Sequence, residues 1–231
     1  PTIAIITNID KEHLDTYKDL NGVIDGFAYY FRNIANIGAL IVSNNDENIK
    51  KAIKIWQTAK LSDDSPQLLY TEIPRNKSKL RLKIPGQFNQ LNAELAWQAA
   101  NLFGVSKKDA QKAISQYHGS WRRMEILTPR SRSLALVNLK FFSDYAHHPT
   151  EIKATIKALK ETFPKKKLLI IFQPHQLERL NNSFEDFVTA FNECSQLILL
   201  PAYQVVGREL ASRKNSKDLF ESGPMSIYVK W

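Results

Sequence analysis

"FFSDYAHHPTEI", residues 141–152, decides the reading of the second half of the chain. A short apolar run of the kind that makes a buried strand stops at Asp144. Two adjacent histidines and Pro149 follow, and then a helical pattern begins, with Ile152, Ile156, Leu159 and Phe163 on one face. To either side the same texture continues: strands at 134–142, 168–172 and 197–200 alternate with helices at 150–163 and 184–194. That alternation is βαβ grammar and dictates a mostly parallel sheet.

The first half reads as a second domain, with the boundary near residues 118–122. "IAIIT" (3–7) is a buried strand followed by a polar loop. Ile24, Phe27, Phe31, Ile34 and Ile37 recur at helical spacing over 24–37, and "GALIVSNND" (38–46) gives the next strand, ended by turn formers. A helix is expected over 48–56. Residues 57–84 are less regular and are expected to hold short strands such as "LRLKI" (80–84). Helices follow at 88–103, with Leu91, Leu95 and Leu102 inward, and from Ser106, an N-cap, to about Tyr117.

Composition narrows the classes. The 231 residues are 43% hydrophobic and 24% charged, as in a globular protein with a substantial core. The longest apolar runs, "LLIIF" (168–172) and "LILL" (197–200), are far too short to span a bilayer, so no membrane partner is expected. No signal peptide is visible, and the chain opens on an apolar strand without an initiator Met, as if inside a domain. One cysteine, Cys194, excludes an internal disulfide and fits a cytoplasmic protein; its helical neighbours Phe187, Val188 and Phe191 suggest a buried, inert thiol. The net charge of +9 is spread over polar helix faces, which fits a solvated surface or an anionic substrate and not a nucleic-acid partner.

In open α/β sheets ligands bind beyond the carboxyl ends of the strands. Asp144, His147 and His148 follow the strand at 134–142; Gln173, His175 and Arg179 follow that at 168–172; His13 follows that at 3–7. Four of the five histidines therefore lie just past a strand end. Each also has a structural reading: either His147 or His148 suits the cap of the helix that begins near Thr150, and Asp144 suits an N-cap-like acceptor. No G-x-x-x-x-G-K-[ST] and no G-x-G-x-x-G occurs anywhere, so the sequence contains no recognisable triphosphate cradle.

Five segments, "TNIDKEHLDTY" (7–17), "PGQFNQLNA" (85–93), "GSWRRME" (119–125), "DYAHHPTEI" (144–152) and "FQPHQLERL" (172–180), occur in the order found in the Mur ligases, which the chain resembles over about residues 3–220. The last two resemble most the branch that joins L-alanine to UDP-N-acetylmuramate, an early step of peptidoglycan synthesis. The resemblance implies an α/β chain: the C-terminal half of the central ATPase domain (1–119), then a Rossmann-like C-terminal domain (120–231). It also implies ATP and Mg²⁺, an acyl-phosphate intermediate, and a UDP-sugar domain and P-loop half that lie outside these residues. That N-terminal part of the ligase becomes an expected partner, and the 231 residues alone are expected to be inactive. The family's final Gly-Ala-Gly-Asp segment is likewise not found.

Residue by residue, the resemblance makes His13 the histidine that helps hold a second magnesium, and Asn89 and Asn92 the asparagines that meet adenine. Arg123 resembles the arginine that reaches ATP phosphate, and Asp144 the aspartate on the nucleotide ribose, with His147 and His148 lining the same cleft. His175 and Arg179 resemble part of the amino-acid pocket. Three positions depart from the family's pattern: Phe88 stands where a histidine is usual, Ser143 for an aspartate, and Gln176 for an arginine. Two other readings stay open, a recycling ligase of the murein peptide type and a non-catalytic remnant that binds a nucleotide or a partner protein.

Overall fold

A computed structural model describes residues 1–59, 66–71, 80–128, 139–203, 214–223 and, for the backbone alone, 226–228. The chain divides into two compact units, Pro1–Lys83 with Gln87–Tyr117, and Ile84–Gly86 with His118–Trp231.

The first unit runs β1 (Ile3–Ile6), α1 (Leu14–Tyr17), α2 (Leu20–Phe31), β2 (Ala39–Ser43), α3 (Glu47–Thr58), β3 (Gln67–Thr71), α4 (Gln87–Asn101) and α5 (Lys107–Gln116). Its three strands form a parallel sheet in the order β1-β2-β3, with Ile3 opposite Ala39 and Ala39 opposite Gln67. Every residue of the central strand is buried, so both faces are covered, which is why its first four residues, Ala39 to Val42, read as an unbroken apolar run. Leu40 and Val42 point into a core with Val23, Ile24 and Phe31 of α2 and Ile49, Ile53 and Trp56 of α3. Phe31 meets Trp56 edge to face at 6.0 Å. Ile41 faces the other way by the two-residue period of a strand, and α4 packs against all three strands.

The second unit runs β4 (Glu125–Leu127), β5 (Phe141–Ser143), α6 (Pro149–Thr162), β6 (Leu169–Phe172), α7 (Leu177–Asn182), α8 (Phe184–Ala190), β7 (Gln196–Leu199), α9 (Ser216–Ser222) and β8 (Ser226–Tyr228). Strands β6, β7 and β8 are parallel in that order, as the alternation requires, while β4 and β5 pair antiparallel as a separate ribbon. The core joins Ile152 and Ile156 of α6, Phe172 of β6, Leu180 of α7, Phe184 and Phe187 of α8, Phe191, Leu197 and Leu199 of β7, and Leu219 of α9.

Several expectations need correcting. The helix expected over 24–37 ends at Phe31; Ile34 still turns inward, but Ile37 is 94% exposed. Its spacing continues the helical period only because the loop after Phe31 folds Ile34 back under the helix, with its N–H bonded to the Phe31 carbonyl at 3.3 Å. Leu102 lies past the end of α4 and is exposed. "LRLKI" forms no strand, and β3 lies earlier in that irregular stretch. The helix expected over 184–194 stops at Ala190, so Cys194 sits beyond it, half-buried against the core; burial pushes its thiol up, as for an inert cysteine. Of the strand at 134–142, only Phe141 and Phe142 lie in β5, and residues 134–138 are outside the described residues.

Candidate functional site

The second unit gathers most of the singled-out polar residues. At the end of β5, Asp144 uses both carboxylate oxygens on backbone: Oδ2 accepts from Met124 N–H and Oδ1 from Ala146 N–H, each at 2.8 Å. It therefore ties the strand end to the turn that carries Arg122 and Arg123. The same turn is fixed by Arg122 N–H donating to Glu125 Oε2 at 2.9 Å and Tyr145 N–H donating to the Arg122 carbonyl at 2.7 Å. Both guanidiniums lie over the Tyr145 ring, Arg122 at 4.8 Å and Arg123 at 5.7 Å from its centre.

His147 and His148 divide in role. His148 is buried and caps α6: its Nδ1 accepts from Thr150 N–H at 3.4 Å, and Glu151 closes a capping box by accepting from His148 N–H at 3.2 Å. Pro149 occupies the first turn, where its missing N–H costs nothing. His147 faces the cluster. Its Nδ1 lies 2.8 Å from the Tyr145 carbonyl and 3.5 Å from Glu151 Oε2; since both neighbours are acceptors, the proton sits on Nδ1. Glu151 also accepts from His147 N–H at 3.0 Å and pairs with Arg123 at 3.6 Å. That pair is about half exposed and contributes little to stability, about 0–1 kcal/mol, but it orients the guanidinium.

Beyond β6, His175 stacks on Tyr203 with ring centres 5.5 Å apart and planes 18° off parallel. The two segments are laced by backbone: Gln176 N–H donates to the Tyr203 carbonyl at 3.2 Å, and Tyr203 N–H to the Pro174 carbonyl at 2.8 Å. Arg179, one turn on, donates from Nη1 to the His175 carbonyl at 3.3 Å. The His147 and His175 rings are 6.4 Å apart, so the loops after β5 and β6 meet. Burial lowers the His175 pKa, and the positive charges of Arg179, His147 and Arg122 lower it further, which keeps the imidazole neutral at neutral pH.

The structure thus brings together Arg123, Asp144, His147, His175 and Arg179. It sets Arg122 beside Arg123 and adds Tyr145, Glu151 and Tyr203, which the sequence reading did not single out as ligand contacts. Tyr203 was findable, because it follows β7 as His175 follows β6.

The remaining candidates lie in the first unit. His13 is exposed in the loop after β1, with left-handed backbone (φ 54), and leads into α1. That loop is laced to the start of α3: Ile9 N–H donates to Asp46 Oδ2 at 3.1 Å, and Asn48 Nδ2 donates to the Ile9 carbonyl at 2.9 Å. Asn89 and Asn92 lie three apart on α4, so they share a helix face; Asn89 is half-buried and Asn92 exposed. Among the described residues no three His, Cys, Asp or Glu side chains converge as a metal site, at His13 or elsewhere.

Known proteins agree with this organisation. The family model for the Mur ligase middle domain matches residues 1–100, and that for the Mur ligase glutamate ligase domain matches residues 122–223. The UDP-N-acetylmuramate–L-alanine ligase of Clostridium tetani is 34% identical over 220 residues, 88% of this chain and 47% of that protein. That of Aquifex aeolicus is 31% identical over 252 residues, 96% of this chain and 54% of that protein. The chain thus spans about half the length of the relatives it matches. In fold it is similar to the UDP-N-acetylmuramate–alanine ligase of Thermotoga maritima, with a TM-score of 0.68 at 20% identity, covering 99% of this chain and 51% of that one. It is also similar to the murein peptide ligase of Psychrobacter arcticus, with a TM-score of 0.61 at 17% identity, covering 100% of this chain and 50% of that one. A parallel α/β unit matched by the middle-domain model, followed by one matched by the ligase-domain model, makes this chain a member of the Mur ligase family.

Proposed function

We propose that the chain supplies the amino-acid-handling part of an ATP-dependent, amide-forming ligase of peptidoglycan precursor synthesis, acting in the cytoplasm, which joins L-alanine to UDP-N-acetylmuramate through an acyl phosphate. The observation that carries this reading is the cluster where the loops after β5 and β6 meet, with the Arg122 and Arg179 guanidiniums beside the His147 and His175 rings. A planar guanidinium suits the carboxylate of an amino acid, and a site with several fixed cations favours anions before any reaction begins. We assign the carboxylate to Arg179, with His147 beside it, as a donor set for a small amino acid.

Arg123, oriented by Glu151 and Tyr145, is the candidate for phosphate, and Asp144 and His148 for the nucleotide. The buried capping position of His148 makes its contribution one of shape, since its Nδ1 already serves the helix. Asn89 and Asn92 are proposed to meet the adenine. His13 is proposed as one ligand of a magnesium ion whose other ligands come from outside the described residues. ATP, when bound, supplies the phosphoryl group that activates the substrate carboxylate. With no G-x-x-x-x-G-K-[ST] among the 231 residues, the P-loop is proposed to come from the N-terminal part of the ligase.

The test is complementation. The 231-residue chain alone is expected to give no ATP-dependent ligation, and the N-terminal half of a relative such as the Clostridium tetani enzyme, supplied in trans, is expected to restore it. Persistent silence of the pair, with ATP or ADP still bound by the chain, would replace the ligase reading with that of a nucleotide-binding remnant.

A further inference from the structure

We propose that His175 takes the proton from the α-ammonium of the incoming amino acid, so that the amine reaches the acyl phosphate as the free base. The proposal rests on the ligase reading above and adds a catalytic role to a residue that reading uses for binding. Amide formation from an amino acid poses a protonation problem: the ammonium that dominates at neutral pH has no lone pair with which to attack. A proton acceptor must stand beside the nitrogen, and it must be empty of a proton when the substrate arrives.

Two imidazoles face the cluster, and their surroundings divide the work. His147 has its Nδ1 proton directed at the Tyr145 carbonyl, 2.8 Å away, and at Glu151, 3.5 Å away. Its ring is thereby fixed as a donor on that side. His175 has the opposite setting. The charges it feels are all positive, those of Arg179 on α7, His147 before α6 and Arg122 before β4, and its ring is held flat against Tyr203. Burial and these charges lower its pKa, so the imidazole keeps its lone pair at neutral pH. The same cations attract the substrate carboxylate. In an amino acid the ammonium is one carbon from that carboxylate, so a carboxylate held by Arg179 brings the ammonium alongside His175, whose carbonyl Arg179 already grips.

The step balances. The ammonium gives one proton to an imidazole nitrogen of His175, and the freed lone pair forms the C–N bond to the acyl carbon. The C–O bond to phosphate then breaks, phosphate leaves with the electron pair, and the second proton lost from nitrogen goes to the departing phosphate or to solvent. The surrounding cations disfavour the imidazolium, which speeds release of its proton for the next turnover.

Complemented ligase carrying His175→Gln tests this, because glutamine keeps an acceptor for the ammonium but cannot take its proton. With L-alanine the variant is expected to lose about 10²–10⁴-fold in kcat with KM nearly unchanged. With hydroxylamine, whose nitrogen is already unprotonated at neutral pH, the loss is expected to be far smaller, which also shows that the variant folds and forms acyl phosphate. With alanine the wild-type rate should level off above an acidic limb, whereas the rate of the variant should keep rising with pH as the amino acid's own ammonium loses its proton. Equal losses with both nucleophiles, or an unchanged alanine rate, would overturn the proposal. If the wild-type pair makes no ATP-dependent product from either nucleophile, the ligase reading fails instead.

Discussion

Replacing Glu94 with glutamine should make the first unit more stable, and increasingly so as the pH rises. Glu94 lies in α4, is only 4% exposed, and its Oε1 has no hydrogen-bond partner. Burial raises its pKa above the ordinary carboxylate value, and the charge of Lys107 opposes that shift without cancelling it. The folded chain therefore holds this proton more tightly than the unfolded chain. The associated stability is fully present below the unfolded value of about 4.3 and is lost as the pH climbs through the raised folded value. Glutamine has no proton to lose, so its stability is flat in this respect. The gap between variant and wild type should open by up to about 1.4 kcal/mol per pH unit and become constant above the folded pKa. That slope is a ceiling, because Lys107 and solvent near the helix screen the charge. Replacement by leucine removes the unpartnered oxygen as well, a gain of about 1–3 kcal/mol at neutral pH. Urea unfolding followed by tryptophan fluorescence from about pH 5 to about pH 8.5 measures both effects. Parallel stability curves for wild type and Glu94→Gln over that range would refute the reasoning.

Gly38→Ala should destabilise the first unit by about 1–3 kcal/mol, because the new Cβ would overlap the Thr2 carbonyl oxygen that receives the Ala39 N–H in the β1–β2 pairing; thermal unfolding reads the change, and an unchanged midpoint contradicts it. Asp144→Asn should cost about 1–3 kcal/mol, since only one amide oxygen remains for the two N–H groups of Met124 and Ala146. Its signature is faster hydrogen exchange at one of those two amides, and equal protection in both proteins would show that the turn stands without the carboxylate.

Periodicity made the long elements legible. The α2, α3 and α6 stripes, the apolar run that makes most of β2 and the turn residues after it are local signals, and local signals survive in a sequence. The site was legible as positions, because strand ends can be counted. It was not legible as contacts. Asp144 meets Met124 twenty residues away, and His175 meets Tyr203 across an intervening strand and two helices; neither pairing leaves a trace in spacing. The adjacent histidines show the same limit at one residue's resolution. Both read equally as cap or as ligand contact, and only the direction of the chain entering α6 puts His148 under the helix and His147 out toward His175. The antiparallel β4–β5 ribbon escaped for another reason: three residues are too few for alternation to register.

The turn that leads into β4, within the second unit, is held in an uncommon backbone by its side chains. Arg122 and Met124 both adopt left-handed backbone, φ 54 and φ 50, at a cost of about 1–2 kcal/mol each relative to glycine. Glycine takes such a backbone without that cost, as Gly119 does at φ 95 nearby. Here the conformation is held by bonds that glycine's backbone could also make, from Glu125, Asp144 and Tyr145, and by two side-chain anchors that it could not. Met124 is buried, and Arg122 lies across Tyr145. Arg123 between them is left exposed beside Glu151, and both guanidiniums come to lie over one ring. The strain is thus coupled to holding two guanidiniums over Tyr145, beside the His147–His175 pair.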